Sequence, residues 1–286
     1  MLQRTPVVDA HHHFWTPGRH DYSWMAGAAL DPIRRPFGPD DLRPLLAAAG
    51  VDYTVLVQTV PSVDETREFM ETAARVSFVA GVVGWVDLTG PAVGETLAEL
   101  QSQPNGSTLV GIRHQVHDEE DAAWLLRSDV QRGLAAVRDA GLAYDLLVRP
   151  RELPAALATA RAFPDMRFVM DHIAKPPIAS GEIEAWAGLL EPFRSLPHVS
   201  CKLSGMITEA KWTAWTPEDL RPYVEHAVDV FDTDRVIYGS DWPVSLLAGA
   251  YLAVKTALEE ALPSLSPEEW AQVFGGNAIR FYRLPI

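Results

Sequence analysis

Near the start of the chain stands Asp9-Ala10-His11-His12-His13-Phe14-Trp15. Successive side chains of an extended strand alternate faces, so His11 and His13 point one way and His12 the other, toward a wall. Two imidazoles so placed can grip one metal ion or one substrate oxygen. Three later stretches bring comparable groups. Gly111-Ile112-Arg113-His114-Gln115 carries a guanidinium, and Asp171-His172-Ile173-Ala174-Lys175-Pro176-Pro177 carries a third imidazole. Tyr238-Gly239-Ser240-Asp241-Trp242-Pro243 carries a carboxylate, behind a small pair that lets the backbone approach closely. Each residue alone has an ordinary structural reading. Four separate stretches, each behind an apolar run, together point to a site.

The elements that must position these groups follow from the hydropathy pattern. Eight short apolar runs occupy residues 6–10, 53–58, 78–86, 109–113, 143–148, 167–170, 199–203 and 235–239. Longer amphipathic stretches, such as 120–140 and 217–231, lie between them. Ser62-Val63-Asp64-Glu65 and Thr216-Pro217-Glu218-Asp219 read as capping boxes that start helices. Strands alternating with helices pair in parallel, because a parallel pair needs a crossover. Eight units in 286 residues average about 36 each, which predicts an α/β fold of the (β/α)8 barrel type in one domain, 1–286. A doubly wound sheet is the competing arrangement. It loses support because no Gly-x-Gly-x-x-Gly follows the first run. Barrel active sites gather where the strands end, and all four stretches lie there. Residues 14–44 read as a long loop over that mouth, and 246–282 as helices closing the bottom or side.

These motifs resemble the amidohydrolase superfamily. More narrowly, they are similar to its amidohydrolase-2 branch of barrel lactonases, the L-fuconolactonase and L-rhamnonolactonase type. Gly-Ile-Arg-His, Asp145-Leu146-Leu147-Val148 and Lys202-Leu203-Ser204-Gly205 add to the likeness, which runs from Val8 to Tyr282. The resemblance implies that His11, His13, His172 and Asp241 hold one divalent metal, zinc, with an open position. Lys202 belongs to the Lys-Leu-Ser-Gly pattern rather than bridging two metals, so a binuclear site is not expected. Lactonases that work without metal also belong to this branch, and both routes stay open. The implied reaction is opening of a lactone ring, with a sugar-acid lactone as first choice. The alternatives are a lactone from aromatic degradation (sulfomuconolactone or pyrone-dicarboxylate type) and a metal-dependent decarboxylation.

Lactone hydrolysis needs a proton acceptor for attacking water and stabilisation of the carbonyl oxygen as it gains charge. Asp241 is assigned as general base, because an aspartate with an ordinary pKa of about 3.9 is ionised at neutral pH. A metal held by the histidines, or His11, His13, His172 and Arg113 acting directly, faces the developing oxyanion. Arg113, His114, Trp24 and Lys202 are expected to bind substrate, with Tyr22, Trp15 and Trp85 as further stacking faces. A lone arginine suits a neutral sugar better than a dicarboxylate. No Gly-x-Ser-x-Gly elbow is present, and Ser204 and Ser240 have no evident partner, so a covalent route is disfavoured. A barrel that only binds a ligand is disfavoured by the complete set of His, Asp and Arg.

The net charge is −14, from 38 acids and 24 bases, which makes nucleic acid and anionic membranes poor partners. No apolar run reaches spanning length, and no leader follows Arg4. The single Cys201 excludes an internal disulfide and fits a reducing cytoplasm. A small-molecule lactone is the expected partner, and oligomeric state is not readable.

Overall fold

The computed structural model describes residues 4–286. Its strands are β1 (Val8–His12), β2 (Tyr53–Val57), β3 (Val79–Gly84), β4 (Leu109–Gln115), β5 (Ala143–Leu147), β6 (Phe168–Met170), β7 (Val199–Leu203) and β8 (Val236–Tyr238). Each pairs in parallel with the next, in the order β1 to β8. The circle closes where the His13 amide donates to the Trp242 carbonyl (2.7 Å) and the Asp241 amide to the His11 carbonyl (2.8 Å). The (β/α)8 barrel expected from the eight runs is therefore present. All strand C-termini share one face, and the four chemical stretches meet there.

Two layers of apolar packing hold the barrel. Val8, Ala10, Val55, Val57, Val169 and Ile237 fill its interior. The last helix, Asn277–Tyr282, plugs the far end with Phe281 and Tyr282, as the reading of 246–282 required. Among the described residues no helix is long and apolar enough to cross a membrane.

Of three local expectations, two are refined and one is met. The helix expected over 120–140 runs only over Ser128–Asp139. Asp121 Oδ1 accepts from the Ala123 amide (2.8 Å), which diverts the preceding backbone into a turn. The helix at Pro217–Phe231 matches to the residue, and the Thr216 amide donates to Asp219 Oδ2 (2.8 Å). At Val63–Arg75 only half the box forms. Ser62 Oγ accepts from the Glu65 amide (3.3 Å), but the Glu65 carboxylate passes Ser62 to take the amides of Thr59 (2.8 Å) and Val60 (3.2 Å). Glu65 thereby pins the loop after β2 beside the barrel mouth.

Candidate active site

β1 ends in two differently anchored imidazoles. His13 Nδ1 donates to the Val57 carbonyl (2.7 Å), which leaves its Nε2 with a bare lone pair. His11 is fully buried, with Nδ1 3.4 Å from Asp171 Oδ1 and 3.2 Å from Lys202 Nζ. The carboxylate calls for a proton on that Nδ1, and Nε2 then accepts from Arg113 Nη1 at 3.2 Å. The two Nε2 atoms stand 3.2 Å apart. His12 faces the wall as expected, 2.8 Å from Thr54 Oγ1.

The chain leaves β6 in an unusual way. His172, Ile173, Ala174 and Lys175 have φ of 54°, 46°, 60° and 49°, so four non-glycine residues in succession are left-handed. Each costs roughly 1–2 kcal/mol relative to the right-handed form. The turn is held by the Lys175 amide on the His172 carbonyl (2.8 Å) and by Trp186 Nε1 on the Ile173 carbonyl (2.8 Å). His172 Nδ1 lies 2.9 Å from Ser204 Oγ, so Ser204 orients an imidazole rather than attacking substrate. Ser240 likewise has a partner, its hydroxyl donating to Asp9 Oδ2 (2.6 Å).

Asp241, also left-handed (φ 55°), completes the group after β8. Its Oδ1 lies 3.4 Å from His13 Nε2, 3.7 Å from His11 Nε2 and 4.0 Å from His172 Nε2. Burial pushes His172 down to about 3, and burial also lowers His11 well below its ordinary value. Both are neutral at pH 7. Burial works to raise Asp241, but the imidazoles, His172 first, more than offset it and hold the carboxyl below the usual carboxylate range. The site thus gathers imidazoles around an ionised carboxylate, with His11 and His172 neutral.

That donor set fits one divalent cation. Ligand atoms of His11, His172 and Asp241 lie within 4.8 Å of one another, and His13 Nε2 joins them at the distances above. A tetrahedral zinc with bonds of about 2.0–2.1 Å needs ligand atoms about 3.3 Å apart. The two Nε2 atoms, 3.2 Å apart with both Nδ1 atoms engaged elsewhere, suit a cation between them, which would replace the Arg113 N–H that His11 Nε2 accepts.

Beneath the imidazoles lies a buried ionic lattice. Arg113 Nη1 donates to Asp171 Oδ2 (3.0 Å), and Lys202 Nζ sits 2.6 Å from Asp145 Oδ2 and 3.0 Å from Asp171 Oδ1. Tyr282, from the helix that plugs the barrel, donates to Asp145 Oδ2 (2.7 Å). Burial would raise Asp171, but Lys202, then His11 and Arg113, hold it well below the usual range.

The lattice corrects one expected substrate contact. Lys202 is 0% exposed and is spent on Asp145 and Asp171, so it supports the site from below and does not line it. A second correction concerns His114. Strand alternation turns Arg113 inward and His114 outward, where it stacks on Trp124 (centroids 4.3 Å apart, 8° between planes). Glu119 Oε1 lies 2.7 Å from its Nε2, and Trp85 Nε1 donates to its Nδ1 (3.0 Å). Trp85 is thus engaged with His114. Trp15 donates to the Ile33 carbonyl and is a packing residue, while Tyr22 lines a separate cleft.

The open space above the floor is about 260 Å³. His13, Arg113, His172 and Asp241 line it, and Trp24 joins them as expected. Gln115, His117, Arg149 and Lys175 add polar groups around the rim. Within residues 14–44, Trp15 packs, while Trp24 faces the cavity.

The match to the family model described as Amidohydrolase extends over residues 8–284. The chain belongs to the amidohydrolase family. This amidohydrolase is 45% identical over 283 residues to an L-fucono-1,5-lactonase of Burkholderia ambifaria, covering 97% of this chain and 95% of that one. It is 37% identical over 289 residues to an L-fucono-1,5-lactonase of Burkholderia multivorans, with 97% and 96% covered. A crystal structure of an amidohydrolase from Burkholderia multivorans with bound zinc superposes at a TM-score of 0.92. It is 36% identical, with 98% of this chain and 100% of that one covered. The likeness first read in the strand-end motifs is thereby established.

Sequence reasoning passed over several groups in this amidohydrolase. Asp145, Asp171 and Lys175 stand inside the very motifs quoted, but only their neighbours drew attention. Alternation along β4 already separated His114 from Arg113, by the rule that separated His12 from His11. Nothing in the sequence announces Tyr282, whose partner lies 137 residues away.

Proposed function

We propose that this amidohydrolase opens a sugar-acid 1,5-lactone with water, the activity its two lactonase relatives are named for. The observation that carries the reading is Asp241, an ionised carboxylate among unprotonated imidazoles on the floor of a cavity large enough for one sugar ring. One barrel supplies the whole site, and the buried Cys201 fits work in a reducing cytoplasm.

Asp241 accepts a proton from water as the water oxygen bonds to the lactone carbonyl carbon. The carbonyl oxygen gains charge close to the guanidinium of Arg113, whose Nη1 protons go to His11 Nε2 and Asp171 Oδ2 and whose positive charge faces the cavity. The ring C–O bond then breaks, and Asp241 returns its proton to the alkoxide. The product is an open hydroxy acid. A divalent ion bound by His11, His13, His172 and Asp241 supplies Lewis-acid polarisation of the carbonyl. Arg113 and Lys202 hold Asp171, which fixes the His11 ring in either case.

The test is acid release from L-fucono-1,5-lactone and related sugar lactones. Asp241→Asn should lower kcat about 10²- to 10⁴-fold with the fold retained, since asparagine tolerates a left-handed backbone. Failure of the wild type to open any sugar lactone, or full turnover by the variant, would end the proposal. A second readout separates decarboxylation: carbon dioxide should not be released.

A further inference from the structure

The left-handed turn after β6 does more than place His172. With three residues per turn, side chains at i and i+3 fall on one side, so His172 and Lys175 emerge together, and both line the cavity. Ile173 and Ala174, between them, are fully buried. Continuing right-handed would send Lys175 elsewhere. Strain of this kind persists where a site needs it. We infer that Lys175 is a specificity-determining residue whose ammonium donates to a hydroxyl oxygen on the sugar ring of the bound lactone. This rests on the lactonase reading and names what that site recognises.

Two features define the oxygen. The first is that an ammonium only donates, so its ligand must be an acceptor. The second is that Lys175 Nζ lies 2.6 Å from Glu209 Oε1, and the pair is mostly buried, with side chains 17% and 26% exposed. Glu209 takes one of three protons and cancels the charge. A compensated ammonium with two free protons suits a neutral hydroxyl, whereas an uncompensated one would favour a second carboxylate. Glu209 fixes the ammonium in place, so donation to the substrate costs little ordering.

The experiment compares wild type, Lys175→Met and Lys175→Arg on the parent lactone and its monodeoxy analogues. Lys175→Met should lose 10- to 100-fold in kcat/KM on the parent, and Lys175→Arg should recover part of it. For one monodeoxy lactone the wild-type advantage should vanish, because the donor then has no acceptor. The same loss on every analogue, or no loss on the parent, overturns the inference. Calorimetric binding of the non-hydrolysable 1,5-anhydro sugar should weaken at least tenfold in Lys175→Met, and equal binding overturns it too. That titration reads Lys175 without turnover, so a wild type that opens no lactone defeats the lactonase reading separately. Should Lys175→Met not fold, Glu209→Gln keeps the ammonium and the turn. It should raise relative kcat/KM for carboxylated lactones about tenfold, and an unchanged preference counts against the inference.

Discussion

A Cβ placed on Gly205 would lie 2.4 Å from Nδ1 of His172 and 2.7 Å from its Cγ. Gly205 is also left-handed, at φ +60°, so it admits the imidazole twice over, by lacking a side chain and by its backbone. Gly205→Ala should push His172 off Ser204 Oγ and away from Asp241. We expect at least a tenfold loss of kcat/KM and destabilisation of about 1–3 kcal/mol, read by kinetics and thermal unfolding. A variant with wild-type kinetics would mean that His172 does not need its observed position.

Lys202 bridges Asp145 and Asp171, and Arg113 pairs with Asp171 through its other oxygen. Lys202→Met should cost about 3–5 kcal/mol in unfolding free energy, because a buried carboxylate pair is left under-compensated. Adding Asp145→Asn should restore part of that stability, since it removes one of the orphaned charges. Equal stability of the single and double variants would show that the lattice is not coupled.

Asp9 gives a pH signature. Burial raises its carboxyl to about 6, against hydrogen bonds from the Ser240 hydroxyl and amide and from Tyr251. The folded protein therefore holds this proton to higher pH than the unfolded chain does. Its contribution to stability is complete below the ordinary value near 4 and is lost as pH rises through about 6. Asp9→Asn lacks that slope. Between pH 3 and 7 the difference in unfolding free energy should move against the wild type by about 3 kcal/mol. Parallel stability profiles for the two proteins would refute the assignment.

Much of the frame was legible in one dimension. Eight β-rich runs announced eight strands because parallel strands in a barrel are buried on both sides and read as near-continuous apolar stretches. β1 itself extends to His12, two residues past the expected end, because His12 still pairs with Leu56 of β2 across an irregular register. The helix over 120–140 was overdrawn because amphipathic periodicity does not register a local turn such as the one Asp121 nucleates.

By itself the sequence determined the barrel, the face on which chemistry gathers, and the four residues His11, His13, His172 and Asp241 that meet there. These follow from local periodicity and from the rule that strand ends share a face. Only the tertiary structure decided that Lys202 lies beneath the site and that Lys175 stands beside His172. Those outcomes depend on partners 57 and 34 residues distant, and on a left-handed turn that packing imposes against local backbone preference. Local spacing carries no record of such long-range pairings.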